Sequence, residues 1–363
     1  MSLSRVILTT GGTGGHIFPA LAVAEEIAAR NPECRLLFVG TRRGPEGDLA
    51  RRRGLEFKAL PSAGVLGRGL RSVSGLLSLA TGLALAVPLV LRFKPDAVIG
   101  FGGYASFAAV AAAYLLRKPT ALHEQNSVPG VANRLLGKLV RTIFLSFPDT
   151  QRRFPEDRTE LVGNPVRKDI RALANKSAKT GDDTGRLLVL GGSQGATALN
   201  DAMLEALPAL LEAGIEIIHQ TGPRDFERVR QGYEQLKDQG ADASSPRAFI
   251  EDMAGAYAWA DLAVCRSGAS TVFELAASGT PAVFVPFPYA THDHQRVNAE
   301  YLATAGAGVL VLQKDLNGEK LAQMVIELTS DRERLAAMAK AAKGRAMPEA
   351  ATTMAQRIEA LAA

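Results

Sequence analysis

Three times in this chain a short aliphatic run breaks into a cluster of glycines and then into a helical pattern. Arg5–Thr10 leads into Gly11-Gly-Thr-Gly-Gly-His16, Pro19 and an amphipathic stretch from Ala20 to Arg30. Ala97–Gly100 leads into Gly100-Phe-Gly-Gly-Tyr104, and Arg186–Leu190 into Gly191-Gly-Ser-Gln-Gly195. Further aliphatic runs at Arg35–Gly40, Thr120–His123, Ile215–Gln220, Leu262–Cys265 and Ala282–Pro286 read as strands between helical segments. Strands alternating with helices build parallel sheets from βαβ units, and their ligands bind at the carboxyl ends of the strands. All three glycine loops fall there. Glycines let a ligand approach the backbone, and the helix start beyond supplies N–H donors, so the pattern points to phosphates.

The alternation restarts near Arg186, after the polar segment from Gly163-Asn-Pro-Val-Arg167 to Gly185. The reading is an α/β chain of two Rossmann-like, doubly wound parallel-sheet domains with a cleft between them, 1–165 and 166–345. A length of 363 residues, 47% of them apolar, suits two cores of ordinary size. The two cysteines, Cys34 and Cys265, lie in different halves and argue against a disulfide framework or a four-cysteine zinc site. The opening MSLSRVILTT reads as a first strand rather than a signal peptide, and together these points favour the cytoplasm.

Charge is uneven. Residues 1–165 carry 21 Lys+Arg against 12 Asp+Glu, and the remainder 21 against 25. A basic first half suggests an anionic partner or a solvated arginine-rich surface. No nucleic-acid motif accompanies it, so no nucleic-acid partner is expected. Ser72–Leu91 has no charged residue and is flanked by Arg68, Arg71, Arg92 and Lys94. A membrane span would separate strands of one sheet, so two readings remain. Gly75, Gly82 and Pro88 also weaken the single straight helix that a span needs. One remaining reading is a buried helix or helix pair packed on the sheet. The other is an apolar surface, ringed by cations, that docks on an anionic membrane.

The densest stretch runs from Arg266 to Ala299. Ser267–Ser270 are small, Ser270 and Thr271 can cap a helix, and that helix start favours a diphosphate. Glu274 follows within about a turn and can accept hydrogen bonds from two ribose hydroxyls. Gly279 ends the helix, Pro281–Pro286 reads as a strand, and His292-Asp-His-Gln295 can meet sugar hydroxyls. These are the parts that hold a nucleotide-sugar. Tyr257 and Trp259 are expected to pack beneath them, and His219 to sit in the core. His292 and His294 lack a third metal ligand in the sequence pattern.

GGTGGH with its Pro19 helix, GFGGY, HEQN, GNPVR, GGSQGA, FIEDMAGAYAWAD, RSGASTVFELAASGTPAVFVPFP and HQRVNA run in order from residue 10 to about residue 300. In them the chain resembles the MurG-type glycosyltransferases. These bacterial enzymes add N-acetylglucosamine from UDP-N-acetylglucosamine to a lipid-linked muramoyl-pentapeptide. The resemblance implies a GT-B fold, an inverting transfer to a 4-hydroxyl, and a peripheral place on the cytoplasmic face of the bacterial membrane. It also implies that the last helix, within 346–363, packs back on the first domain. For the donor it implies Ile250 at the uracil and Glu274 at the ribose. Ser193 and the backbone of Ala269, Ser270 and Thr271, continuing into Val272 and Phe273, would meet the diphosphate. Gln295 and Asn126 would read the sugar, with Arg167, Thr13, Gly14 and Gly15 also at donor-contacting positions. Gly14, Gly15, Gly103, Tyr104 and His123 would lie along the acceptor. One departure is His294-Gln295, where members often carry a glutamine pair.

The chemistry needs a base for the attacking hydroxyl and positive potential for the departing UDP. No Asp-x-Asp occurs, so no metal or other cofactor is expected, and helix starts with Arg167 and Arg266 are the candidates for the leaving group. His16, closing the first glycine loop at a helix start, is the first choice for the base; it could instead only bind diphosphate or cap the helix. Glu124 and His123 are the alternatives, each equally able to serve structurally. Two other functions remain open on the sequence: a different GT-B lipid glycosyltransferase, and a nicotinamide oxidoreductase. The second is suggested by Gly100-x-Gly-x-x-Ala105 with Glu124 some twenty residues on.

Overall fold

The computed structural model describes residues 3–42, 44–61, 71–149, 151–175, 185–236 and 244–363, with the backbone alone at 71–77, 104 and 175. The chain divides into two units: Met1–Arg167 with Pro348–Ala363, and Lys168–Met347.

The first unit holds seven strands: β1 (Arg5–Thr9), β2 (Arg35–Gly40), β3 (Glu56–Ala59), β4 (Ala97–Gly100), β5 (Thr120–Glu124), β6 (Thr142–Leu145) and β7 (Thr159–Leu161). They pair in the order β3-β2-β1-β4-β5-β6-β7, all parallel. Successive residues of β1 feed opposite cores. Val6 and Leu8 pack with Ile17, Leu21 and Val23 of the helix Gly14–Arg30, and Ile7 packs with Ala86, Val90 and Ala109 on the other face. A parallel sheet covered on both faces reads as an unbroken aliphatic run, which is what β1 and β2 show.

The helix Ala350–Ala362 belongs to this unit. Its Ala351, Met354, Ala355 and Ile358 join the core under β1, and Glu359 accepts from Arg30 (2.9 Å) and from the Asn31 amide (2.8 Å). Arg71–Phe93 is one helix despite Gly75, Gly82 and Pro88. Ala86, Val90 and Phe93 form a buried stripe at helical spacing, and Pro88 lies on the exposed side. Arg68 and the Arg71 side chain are outside the described residues. No helix among the described residues is long and apolar enough to cross a membrane.

The second unit holds β8 (Arg186–Leu190), β9 (Glu216–Gln220), β10 (Ser245–Arg247), β11 (Leu262–Cys265), β12 (Ala282–Phe284) and β13 (Gly308–Leu310). Their order is β10-β9-β8-β11-β12-β13, again all parallel. Leu187, Val189, Val264 and Val283 make one core with the helices Thr197–Glu212 and Gly318–Ser330.

In each sheet the direction of strand addition reverses at one place, between β1 and β4 and between β8 and β11. Doubly wound sheets open a ligand crevice at that switch point. The three glycine loops follow β1, β4 and β8, and the small-residue loop Ser267–Gly268 follows β11. Four loops therefore lie at two switch points.

Candidate active site

In the first unit the loop after β1 places His16 two residues into the helix Gly14–Arg30. Thr13 is its extended N-cap, and the Thr13 carbonyl accepts from the His16 N–H at 3.0 Å. The loop is held from outside: Glu46, fully buried, accepts from the Gly12 N–H (2.9 Å) and the Thr41 hydroxyl (3.1 Å). The loop after β4 closes the other side. Gly102 has φ +91°, and a Cβ there would stand 3.0 Å from His16 Cε1. Gly103 has φ +84°, and its Cβ would stand 2.9 Å from the Gly11 carbonyl. Only glycine fits either position, so the two loops and the imidazole are packed as a unit. The Tyr104 side chain is outside the described residues.

Behind His16 runs a chain of hydrogen bonds from the end of β5. His16 Nδ1 lies 2.9 Å from Gln125 Oε1. Gln125 Nε2 donates to the Phe101 carbonyl (2.9 Å) and lies 3.1 Å from His123 Nδ1. His123 Nε2 lies 3.2 Å from the Gly163 carbonyl and 3.0 Å from Ser146 Oγ, which donates to Asn164 Oδ1 at 3.3 Å. His123 is fully buried, and burial holds its pKa down at about 3, against the Gly163 carbonyl that favours the charged form. Both ring nitrogens of His123 are thus engaged, and the ring has no exposed surface.

Glu124, at the end of β5, is held by three donors. Its carboxylate accepts from the Asn126 N–H (2.9 Å), the Gly130 N–H (3.1 Å) and the Asn133 amide (2.9 Å). Burial pushes its pKa up, opposed by those same donors. It anchors the loop 125–130 and so sets where Asn126 and Gln125 stand. Arg167, at the end of this unit, lays its guanidinium over the Phe18 ring at 5.1 Å.

In the second unit Ser193 sits exposed in the loop after β8. The helix after β11 runs Ala269–Ser278. Its N-cap is Gly268, extended at φ −62°, ψ 145°, rather than Ser270 or Thr271. Those two lie in the first turn instead, because the Gly268 carbonyl already accepts from the Val272 N–H at 3.0 Å. The N–H groups of Ala269, Ser270 and Thr271 thus open the helix, where an intrahelical acceptor is lacking. Val272 and Phe273 point into the core, so only their backbone can serve a ligand; Phe273 stacks on Tyr301 at 5.5 Å. Glu274, in the second turn, is largely buried and its Oε2 accepts from the Tyr257 hydroxyl at 3.0 Å. Gly279 ends the helix in the left-handed conformation.

The Ile250 N–H donates to Gln220 Oε1 at 3.0 Å, which ties the segment before the helix Met253–Trp259 to the end of β9. Gln295 uses its Oε1 to accept from the Phe287 N–H at 3.0 Å, while its carbonyl accepts from the Ser267 hydroxyl at 2.7 Å. Just before it, His292 and Asp293 both have positive φ, 54° and 55°. Two consecutive left-handed non-glycine residues are costly, and such strain concentrates at ligand clamps. Arg266 donates to the carbonyls of Val285 (2.9 Å) and Pro286 (3.1 Å) and to Gln313 (2.6 Å), so it holds the chain leaving β12.

Residues 6–145 match the glycosyltransferase family 28 N-terminal domain, and residues 186–354 match the glycosyltransferase family 28 C-terminal domain. The chain belongs to glycosyltransferase family 28. Among relatives, the glycosyltransferase is 54% identical to a protein of Nitratidesulfovibrio vulgaris over 97% of this chain and 96% of that one. It is 50% identical to one of Solidesulfovibrio magneticus over 99% of both. Each carries the name UDP-N-acetylglucosamine–N-acetylmuramyl-(pentapeptide) pyrophosphoryl-undecaprenol N-acetylglucosamine transferase. Among solved structures, the MurG of Acinetobacter baumannii is 32% identical, covers 98% of this chain and 99% of its own, and superposes with a TM-score of 0.77.

Four residues of the glycosyltransferase that position the candidates were not singled out for these roles in the sequence: Gln125 behind His16, Glu46 behind Gly12, Tyr257 behind Glu274 and Gln220 behind Ile250. Gln125 stands inside the HEQN stretch. The other three act across 17 to 34 positions of chain, and no local pattern marks such partners.

Proposed function

We infer that this glycosyltransferase moves N-acetylglucosamine from UDP-N-acetylglucosamine to the 4-hydroxyl of the muramoyl residue in undecaprenyl-diphospho-muramoyl-pentapeptide, with inversion. The observation that carries this is 54% identity along 97% of the chain to a transferase of that name. The four loops at the two sheet switch points supply a setting suited to diphosphates.

The residue roles are part of the same proposal. Glu274 accepts from the ribose hydroxyls, and the segment at Ile250 meets the uracil. Ser193 and the helix start at Ala269–Thr271 take the diphosphate. Gln295 and Asn126, with Arg167 and the loop Thr13–Gly15, contact the remainder of the donor, and the loop at Gly103 and Tyr104 serves the acceptor. The acceptor oxygen attacks the anomeric carbon as the bond to the β-phosphate oxygen breaks. His16 takes the hydroxyl proton, and the negative charge arriving on UDP is met by N–H groups at a helix start. This distribution assigns no step to a metal ion. It keeps Glu124 as the anchor of the 125–130 loop rather than the base.

The membrane surface belongs to the proposal too. Leu85 and Leu91 are 46% and 55% exposed on the helix Arg71–Phe93, with Arg92 and Lys94 exposed beside Leu91. That apolar and cationic mixture suits peripheral binding to anionic lipid on the cytoplasmic side.

Radiolabelled UDP-N-acetylglucosamine, offered with the lipid-linked muramoyl-pentapeptide, diacylglycerol and other prenyl diphosphates, separates this reading from another lipid glycosyltransferase. Label should enter only the muramoyl lipid. Transfer to diacylglycerol in its place would overturn the acceptor assignment.

A further inference from the structure

The hydrogen bonds behind His16 have a direction, and two backbone carbonyls set it. A carbonyl oxygen can only accept. The Gln125 atom 2.9 Å from the Phe101 carbonyl must therefore be the amide NH2, which turns the amide oxygen toward His16 Nδ1 at 2.9 Å. An amide oxygen also only accepts, so His16 Nδ1 must carry a proton. The same NH2 group reaches His123 Nδ1 at 3.1 Å, which makes that nitrogen an acceptor and puts the His123 proton on Nε2. There the Gly163 carbonyl, 3.2 Å away, accepts it, as the Nε2 proton requires. Ser146 Oγ, 3.0 Å from His123 Nε2, passes its own proton to Asn164 Oδ1. Every link agrees with one polarity, from the Phe101 and Gly163 carbonyls to the His16 ring.

We propose that Gln125 is a positioning residue that locks neutral His16 in the Nδ1–H tautomer, placing the ring's basic lone pair on Nε2. The proposal rests on the reading of His16 as the base, and it names the nitrogen that takes the acceptor's proton. Gln125 is almost wholly buried, and its amide is fixed by the Phe101 carbonyl and His123 on one end and by His16 on the other. The buried, neutral His123 completes the lock: a charged His123 would carry a proton on Nδ1 and repel the Gln125 NH2. Gln125 then plays toward His16 the part that an orienting third group plays in catalytic triads, with a neutral amide in place of a carboxylate.

The test uses the full-length enzyme with 15N-labelled histidine, of which the chain has five. Long-range 1H–15N spectra distinguish a protonated from an unprotonated ring nitrogen, and the His16→Ala spectrum assigns the His16 signals. Wild type should show Nδ1 protonated and Nε2 unprotonated at neutral pH. Gln125→Met, close in size and without the amide, should lose that preference. Its kcat should fall by roughly 10- to 100-fold, below the approximately 10⁴-fold loss of a wrong-tautomer triad variant, with UDP affinity held within about twofold. A wild-type His16 protonated at Nε2 would overturn the lock, whether or not the variant folds. A folded Gln125→Met with wild-type kcat would also overturn it. His16→Ala with wild-type turnover would instead remove His16 as the base, a failure separate from the spectroscopic one.

Discussion

Replacing Tyr257 by Phe tests the ribose site without touching a ligand-facing group. The Tyr257 ring is buried, so phenylalanine fills the same space and opens no cavity. What disappears is one hydroxyl, 3.0 Å from Glu274 Oε2. A hydrogen bond to a charged group contributes about 1.5–3 kcal/mol, part of which water recovers at a partly open site. The folded variant should lose about 1–2 kcal/mol of stability on that account. Donor affinity changes for a different reason: the Glu274 side chain loses one of the contacts that orient it before binding. Ordering a side chain of that kind costs about 0.5–1.5 kcal/mol, so UDP should bind roughly two- to twelve-fold more weakly. Calorimetric titration with UDP measures this directly. Titration with 2′-deoxy-UDP supplies the control, since a ligand lacking one of the two hydroxyls gains less from an oriented carboxylate. The ratio of variant to wild-type affinity should move toward one. Unchanged UDP affinity in a folded Tyr257→Phe enzyme, or an equal loss for both nucleotides, would refute the link between Tyr257, Glu274 and the ribose.

Two further outcomes are expected. Burial holds His123 and His219 at about 3, against an ordinary value of 6.5, so the unfolded chain takes up their protons first as pH falls. The stability they confer is complete above about pH 6.5 and is lost on descending toward 3. Between pH 7 and pH 5 each contributes a loss of up to about 2 kcal/mol, visible as a lower urea midpoint; His219→Gln, which cannot titrate, should flatten that fall, and a pH-independent midpoint in wild type would contradict it. For the membrane surface, wild type should float with vesicles containing anionic lipid and less with neutral ones. The pair Leu85→Ser and Leu91→Ser should weaken flotation at least several-fold; equal, negligible flotation with both lipids would remove the docking surface.

The central strands were plain in the sequence because a doubly covered parallel strand must be apolar at every position, as Val6-Ile-Leu8 and Leu187–Leu190 are. The strands that sequence reasoning passed over are short, and the outermost lie at sheet edges. β3 alternates Glu56 and Lys58 with its apolar residues, β7 carries Glu160, and β10 is Ser245-Pro-Arg247, with a proline that only an edge strand tolerates. Within the candidate site the candidates for touching a phosphate or a sugar come from local signatures: glycine loops, a helix start and a carboxylate. Gln125 and Glu46 carry no such signature, because each takes its role from a partner brought near only by folding; Tyr257 was expected beneath the site, but not its hydrogen bond to Glu274. For His123 the sequence could not show that folding buries the ring completely and engages both its nitrogens.

The helix Ala350–Ala362 completes the core under β1, although the whole of Lys168–Met347 is made before it. During synthesis the first domain therefore waits, with the apolar patch beneath β1 uncovered, while the second is produced. An isolated fragment ending at residue 167 would keep that wound permanently open, so dissection of this enzyme into halves requires the distal helix to be carried along with, or grafted onto, the proximal piece.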